Sequence, residues 1–440
     1  MREWKTVSLG SISSQRKGIS YKSEDYSNSE DGHPFITIKC FVKGGGYEPR
    51  GIKFYNGVST KADHLAPGDL LFAVTDLTRA GDIVGSPLRV PEIAGAKLAL
   101  ASMDCMRIEP DVSQCDKGFM YHRLMLADVR GKMVAYSAGS TVLHLDTKRV
   151  PGFLVRIPED TRVQAKIASV LDGIDTTIEK TEALIAKHQQ IKAGLMHDLF
   201  TRGVLPNGQL RPPRSEAPEL YREAAMGWIP RDWAVATMQE LLAPLPNNLR
   251  SGPFGSALLK HELVEEGIPF LGIDNIHTER FEPTFRRFVS KRKFRELAKY
   301  GVRPRDVVIT IMGTVGRCCV IPADLDVSLS SKHLWTMTFD TEKVIPELVC
   351  WQLNFAPWAL AWFRRAMQGG VMDAIQSSTL KTLKLPVPGL EEQELIYARY
   401  LKMTERIQRD DEQLQKLQKQ KLGLMQDLLT GRVQVSTTTD

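Results

Sequence analysis

The sequence predicts an α+β protein: two mixed α/β globules joined by two long helices that pair as an antiparallel coiled coil, the halves related by a pseudo-twofold repeat. Three observations predict it. First, QAKIASVLDGIDTTIEKTEALIAKHQQIKAGLMHDLFTRGV, from Gln164, aligns without gaps on QELIYARYLKMTERIQRDDEQLQKLQKQKLGLMQDLLTGRV, from Gln393, a shift of 229 residues. Ile167/Ile396, Ile178/Ile407 and Lys187/Lys416 coincide, and the same shift carries Trp4 onto Trp233. Second, both copies space their apolar residues at alternating steps of four and three, the heptad seam of paired helices. Third, the segments between them repeat in the same order: GHPFITI and GIPFLGI, YEP and FEP, LAPGDLLF and VRPRDVVI.

Residues 1–158 read as the first globule, because short β-branched or aromatic runs alternate with Gly, Pro and Asp turns. Residues 159–204 are the central helical region. Its seam is Ile167, Leu171, Ile174, Ile178, Thr181, Ile185, His188, Lys192, Leu195 and Leu199. His188 there is an interface histidine rather than a metal ligand, since the repeat replaces it with Leu417. Residues 205–227, rich in Pro and polar side chains, are a linker. Residues 228–388 form the second globule. Residues 389–433 are the distal helical region, with Ile396, Tyr400, Met403, Ile407, Asp410, Leu414, Leu417, Lys421, Leu424 and Leu428 on its seam, and 434–440 a tail. A helix with one apolar stripe needs a partner, and the nearest is the other copy. At 1.5 Å per residue such a helix is about 55 Å long, on the scale of one to two turns of DNA. It suits a spacer.

Composition narrows the class. Hydrophobic residues at 42% and charged residues at 25% fit a globular chain and argue against disorder or a membrane protein. No signal-peptide pattern and no 18-residue apolar run occurs, so a cytoplasmic protein without a membrane partner is expected. Six cysteines without a C-x-x-C pair read as reduced thiols, with no metal site. A net charge of +6 permits a nucleic-acid partner without requiring one.

The usual catalytic motifs are absent from the sequence. No [DNS]-P-P-[YFW] segment holds a flipped adenine, and no G-x-x-x-x-G-K-[ST] loop cradles phosphates. Pro212-Pro213 is followed by Arg214, and the Gly313–Gly316 stretch reads as a tight strand-to-strand turn carrying Thr314 toward DNA. Basic residues give the positive signal. FRRFVSKRKFREL, from Phe285, holds Arg286, Arg287, Lys291, Arg292 and Lys293 among phenylalanines, a density suited to phosphate contact. It also fits an amphipathic element with its Phe in the core and its charges in water. In the first globule the DNA-binding candidates are Arg16, Lys17, Lys39, Lys43 and Arg79. Arg to guanine and Asn or Gln to adenine nominate Arg79, Asn275, Arg317 and Gln376 for base edges.

The order and duplication of GWIPRDW (from Gly227), VPGLEEQELIYARYL (from Val387) and the helix ends LMHDLFTRGV and LMQDLLTGRV resemble the specificity subunit of type I DNA restriction-modification systems. TDLTRAGDIVG (from Thr75) and ITIMGTVGR (from Ile309) resemble that family's target recognition domains. RIPEDTRVQAKIA, from Arg156, departs from it by lacking the acidic-Gln pair present at Glu392-Gln393. The resemblance implies a non-catalytic subunit that reads a bipartite, asymmetric double-stranded DNA target, one half-site per globule. It implies partners too: two modification subunits that methylate adenine with S-adenosylmethionine, and in some systems ATP-dependent restriction subunits. This chain itself would hold no cofactor. The competing readings are a nucleic-acid enzyme with an unrecognised site, which would methylate or cut DNA alone, and a structural coiled-coil protein indifferent to DNA.

Overall fold

The computed structural model describes residues 4–28, 31–78, 80–313, 315–367 and 375–435. The chain divides into two compact units, Met1–Leu184 with Asp410–Asp440, and Ile185–Arg409. Each unit is therefore a globule together with a stretch of each long helix.

In the first unit, Trp4–Ser8 pairs antiparallel with Leu154–Pro158, tying the start of the globule to the strand that leads into the first long helix. A four-stranded sheet follows in the order Ser13–Lys17, Cys105–Pro110, Leu70–Ala73, Pro87–Arg89. Its strand Leu70–Ala73 is apolar throughout because both faces are covered. Leu70 and Phe72 enter one core with Ile108, Phe119 and Leu124, while Leu71 and Ala73 enter another with Ile36, Leu88 and Ala101. A second sheet runs Tyr26–Ser27, Lys53–Tyr55, His33–Ile36, Leu100–Ala101, and only its last pair is parallel. Thr75–Asp76 joins a hairpin made by Ser137–Ala138 and Leu143–Leu145.

The second unit repeats the plan. Ala234–Thr237 pairs with Lys384–Val387. The next sheet runs Leu249–Arg250, Leu334–Met337, Val307–Thr310, Cys318–Val320, again with alternate residues of its central strand in two cores. A further sheet contains Ile268–Leu271 parallel to Ser328–Ser330, the counterpart of Phe35 beside Leu100, and adds Gly301–Val302 at its edge. The architecture is α+β.

The first long helix spans Thr161–Thr201 and the second Leu390–Leu428. All ten seam positions of each are buried or half-buried, and none is exposed. In the first unit Lys421 Nζ meets Asp175 Oδ1 at 2.6 Å, while Leu428 shares a core with Ile167 and Leu171. In the second, Lys192 Nζ meets Tyr400 OH at 3.1 Å, while Leu199 shares a core with Ile396. Within each unit the two stretches therefore run antiparallel. Met196, Phe200, Met425 and Leu429 are buried off the seam. A helix that packs against both a helix and a globule needs a wider apolar face than two positions in seven. Residues 205–227, read as a linker, are tied down within the second unit: Arg211 is buried and Tyr221–Ala224 pairs with Gly227–Pro230. The buried residues of this stretch include an arginine, Arg211, satisfied by Glu392 and Asp232, a polar residue that reads as loop in sequence.

Candidate nucleic-acid interface

Each globule presents its connecting loops from a rigid sheet, and buried polar side chains shape those loops. Asp69 Oδ2 accepts from Ala66 N at 3.0 Å, and Asp306 Oδ2 accepts from Arg303 N at 2.7 Å, so both P-x-D stretches form the same four-residue turn, closed by the Asp side chain reaching back to the N–H three residues earlier. Gly68 takes φ 85° there, and Arg305 takes φ 63° at the matching position. Asp76 is fully buried and accepts from Thr78 N at 2.7 Å, from Val84 N at 2.9 Å and from Ile83 N. Burial opposes its charge, but these N–H groups and the Thr78 hydroxyl outweigh burial and hold the carboxyl below its usual range. Thr78, Ile83 and Val84 are thus gathered around one carboxylate. In the second unit the corresponding connection is shorter: a hairpin between Val307–Thr310 and Cys318–Val320, with Gly313 at φ 74° and Gly316 at φ 93°.

The candidate residues fall into three groups. Lys17, Lys39, Arg286, Lys291, Arg292, Arg317 and Gln376 are exposed. Arg292 lies 3.9 Å from Glu296 with 91% of its side chain accessible, a contact too open to withdraw it from solvent. A second group is exposed or half-buried but paired: Arg16 with Asp63 at 2.6 Å, Lys43 with Asp82 at 2.5 Å, Arg287 with Asp274, and Lys293 with Glu262 at 2.8 Å. Asn275 stands apart. It is buried, its Oδ1 accepts from Gly272 N at 2.9 Å, and its Nδ2 donates to the carbonyls of Glu282 and Thr284. Its amide is spent on shaping the 272–284 turn, which leaves nothing to read an adenine. Arg79 and Thr314 lie outside the described residues. The run from Phe285 forms the strand Phe288–Val289 and the short helix Lys291–Glu296. Phe294 turns inward while Lys291, Arg292 and Arg295 face water, so the run is an amphipathic element.

The helix junctions carry residues that sequence reasoning passed over. Gln164 is fully buried, accepts from Asp116 N at 2.8 Å, and donates to the carbonyls of Gln114 and Pro158. Gln393 is equally buried, accepts from Ile345 N at 2.8 Å, and donates to Lys343 and Pro388. The two amides make the same joint between helix and globule. Glu392, whose place Val163 takes in the first copy, receives Arg211, Trp233 Nε1 and Val204 N. Left-handed glycines end the helices, Gly203 (φ 67°) against Trp233 and Gly431 (φ 78°) against Trp4. In the second unit Glu279, at φ 62°, binds Lys192 Nζ at 2.9 Å and accepts from Tyr400 OH at 2.6 Å, fastening a globule turn to both helices. The repeated Gln in QAKIA and QELIY was the available signal for the first of these joints.

Comparison with known proteins agrees with this organisation. Residues 1–189 match the family described as the type I restriction modification DNA specificity domain. The chain is 22% identical over 403 residues to the type I restriction enzyme EcoBI specificity subunit of Escherichia coli, spanning 90% of this chain and 78% of that protein. It is 22% identical over 386 residues to the MjaVIII specificity subunit of Methanocaldococcus jannaschii, spanning 86% of this chain and 84% of that protein. Its fold matches the S subunit of a type I restriction-modification system from M. genitalium, with a TM-score of 0.56 at 14% identity, over 99% of this chain and 97% of that chain.

Proposed function

We infer, from a chain whose residues 1–189 belong to the type I restriction-modification DNA specificity family, that the whole protein is a non-catalytic specificity subunit reading a bipartite, asymmetric DNA target. One observation carries the reading: a single globule plan occurs twice, with the same sheet order and the same glutamine joint, while the loops projecting from it differ. A shared frame with divergent loops is what two different half-sites require, because frame contacts position a domain and loop side chains specify bases. The exposed Lys17, Lys39, Lys291, Arg292 and Arg317 supply cations for the phosphate backbone. The paired helices would set the gap between half-sites. Two modification subunits, carrying S-adenosylmethionine, would dock on this chain and supply adenine methylation, and restriction subunits would join where cleavage occurs.

Selection from a pool of random duplexes by the purified chain tests this. The expected product is one motif with two short fixed blocks separated by a fixed gap, bound without methylation or cleavage. Binding indifferent to sequence supports a structural coiled-coil protein instead. Methyl transfer or cutting by the chain alone favours an enzyme, and either result overturns the proposal.

A further inference from the structure

The second unit exposes a large apolar side chain at a point where the first unit has a small polar one. Sheet register fixes the comparison. Arg16 faces Arg107 in the first unit and Arg250 faces Thr336 in the second, and Gly18 and Gly252 each follow two residues later. At both glycines an added Cβ would strike the neighbouring backbone, at Ala101 and Ser102 in one unit and at Ser330 and Ser331 in the other. The chain therefore leaves both sheets through the same tight passage. Two residues further on stand Ser20 and Phe254, both exposed, with Phe254 at 59%.

Phe254 is held rather than trailing. Its carbonyl accepts from Ala257 N at 3.2 Å, and Gly255 turns the chain at φ 57°. Ala257, Leu258 and Leu263 then pack with Phe294 and Leu297, while Glu262 receives Lys293 at 2.8 Å. The loop that presents Phe254 is thus clamped to the helix whose Lys291, Arg292 and Arg295 face water. An open aromatic ring costs hydration until something covers it, and a cluster of exposed cations on the packed neighbour matches a polyanion.

We propose that Phe254 is a DNA-contacting residue of the second unit, an apolar wedge pressed against a base step while Lys291, Arg292 and Arg295 hold the adjoining phosphates. Ser20 offers the first half-site only a hydroxyl, so one structural position delivers different chemistry to each half. The proposal rests on the DNA-reading function above and adds a residue to it.

The test compares the full chain with Phe254→Ser, Phe254→Trp and Arg292→Ala on the duplex the unmodified chain selects, across a salt series and with 2-aminopurine placed in each half-site. Phe254→Ser should weaken binding at least about ten-fold with an unchanged salt slope, Phe254→Trp should stay within about two-fold, and Arg292→Ala should lower the slope by about one. Binding of the unmodified chain should raise 2-aminopurine fluorescence in one half-site, and Phe254→Ser should abolish that rise. Because Phe254 is exposed, all three variants should melt with the parent. If the parent selects a duplex and Phe254→Ser binds it within two-fold, or weakens it only by changing the salt slope, the wedge is wrong and the DNA reading stands. If the parent selects no duplex, the DNA reading fails and the wedge with it.

Discussion

Buried polar residues pin the joints of this fold. Gln393→Leu keeps the side-chain volume but strands the Ile345 N–H and the Lys343 and Pro388 carbonyls. At about 1–3 kcal/mol for each of the three polar groups left unmet, a loss of at least about 3 kcal/mol is expected, read as a lower urea midpoint. Gln164→Leu should cost the first unit a similar amount, and unchanged midpoints would contradict the joint. Asp76 gives a prediction in pH. Its folded carboxyl titrates below the usual range, so its stabilisation is present above the ordinary carboxylate pKa of about 4 and is lost as pH falls through the lower folded value. The stability gap between the parent and Asp76→Asn should therefore be full at neutral pH and shrink below about pH 4, measured by urea unfolding across pH. A gap independent of pH would remove that role. Little of this was legible beforehand, because a glutamine or aspartate looks the same in sequence whether it faces water or three backbone groups. Asn275 shows the converse: its chemistry suited adenine, and only its burial reveals that the amide is already used.

The helices were the most legible elements. A period repeated over ten positions in two copies overrides local ambiguity, as the neighbours Leu184 and Ile185 show. Both are apolar, yet Ile185 on the seam is 7% exposed and Leu184 beside it is 36% exposed. Leu171→Ala should cost about 2–5 kcal/mol, the range for a fully buried leucine, and Leu184→Ala about 0.5 kcal/mol or less, compared by thermal melting. Similar losses at both sites would refute the seam. The strands were less legible. Leu70–Ala73 and Val307–Thr310 are short apolar runs, and only their cover on two faces explains why they do not alternate. The helices' role as a spacer is tested by inserting seven residues into each, after Thr181 and after Asp410. This adds about 10 Å, or roughly three base pairs at about 3.4 Å each, and keeps the seam in phase. The gap in the recognised motif should widen by about that amount. A fixed gap in a protein that still folds and binds would show that the helices do not set it.

For the molecule as a whole, duplication was the feature that sequence conveyed best and side-chain chemistry the feature it conveyed least. The shift of 229 residues reappears in the structure as paired joints, Gln164 with Asp116 and Gln393 with Ile345. The loops diverge too far for alignment, so the correspondence of Ser20 with Phe254 emerges only from strand register. Two frames with different loops should act as separable readers. The most direct test of that claim replaces residues 1–158 with the corresponding domain of a relative and maps N6-methyladenine across the genome of cells expressing the chimera with its modification partner. One half of the methylated motif should change while the other half and the gap persist; if both halves change together, the two-reader account is contradicted.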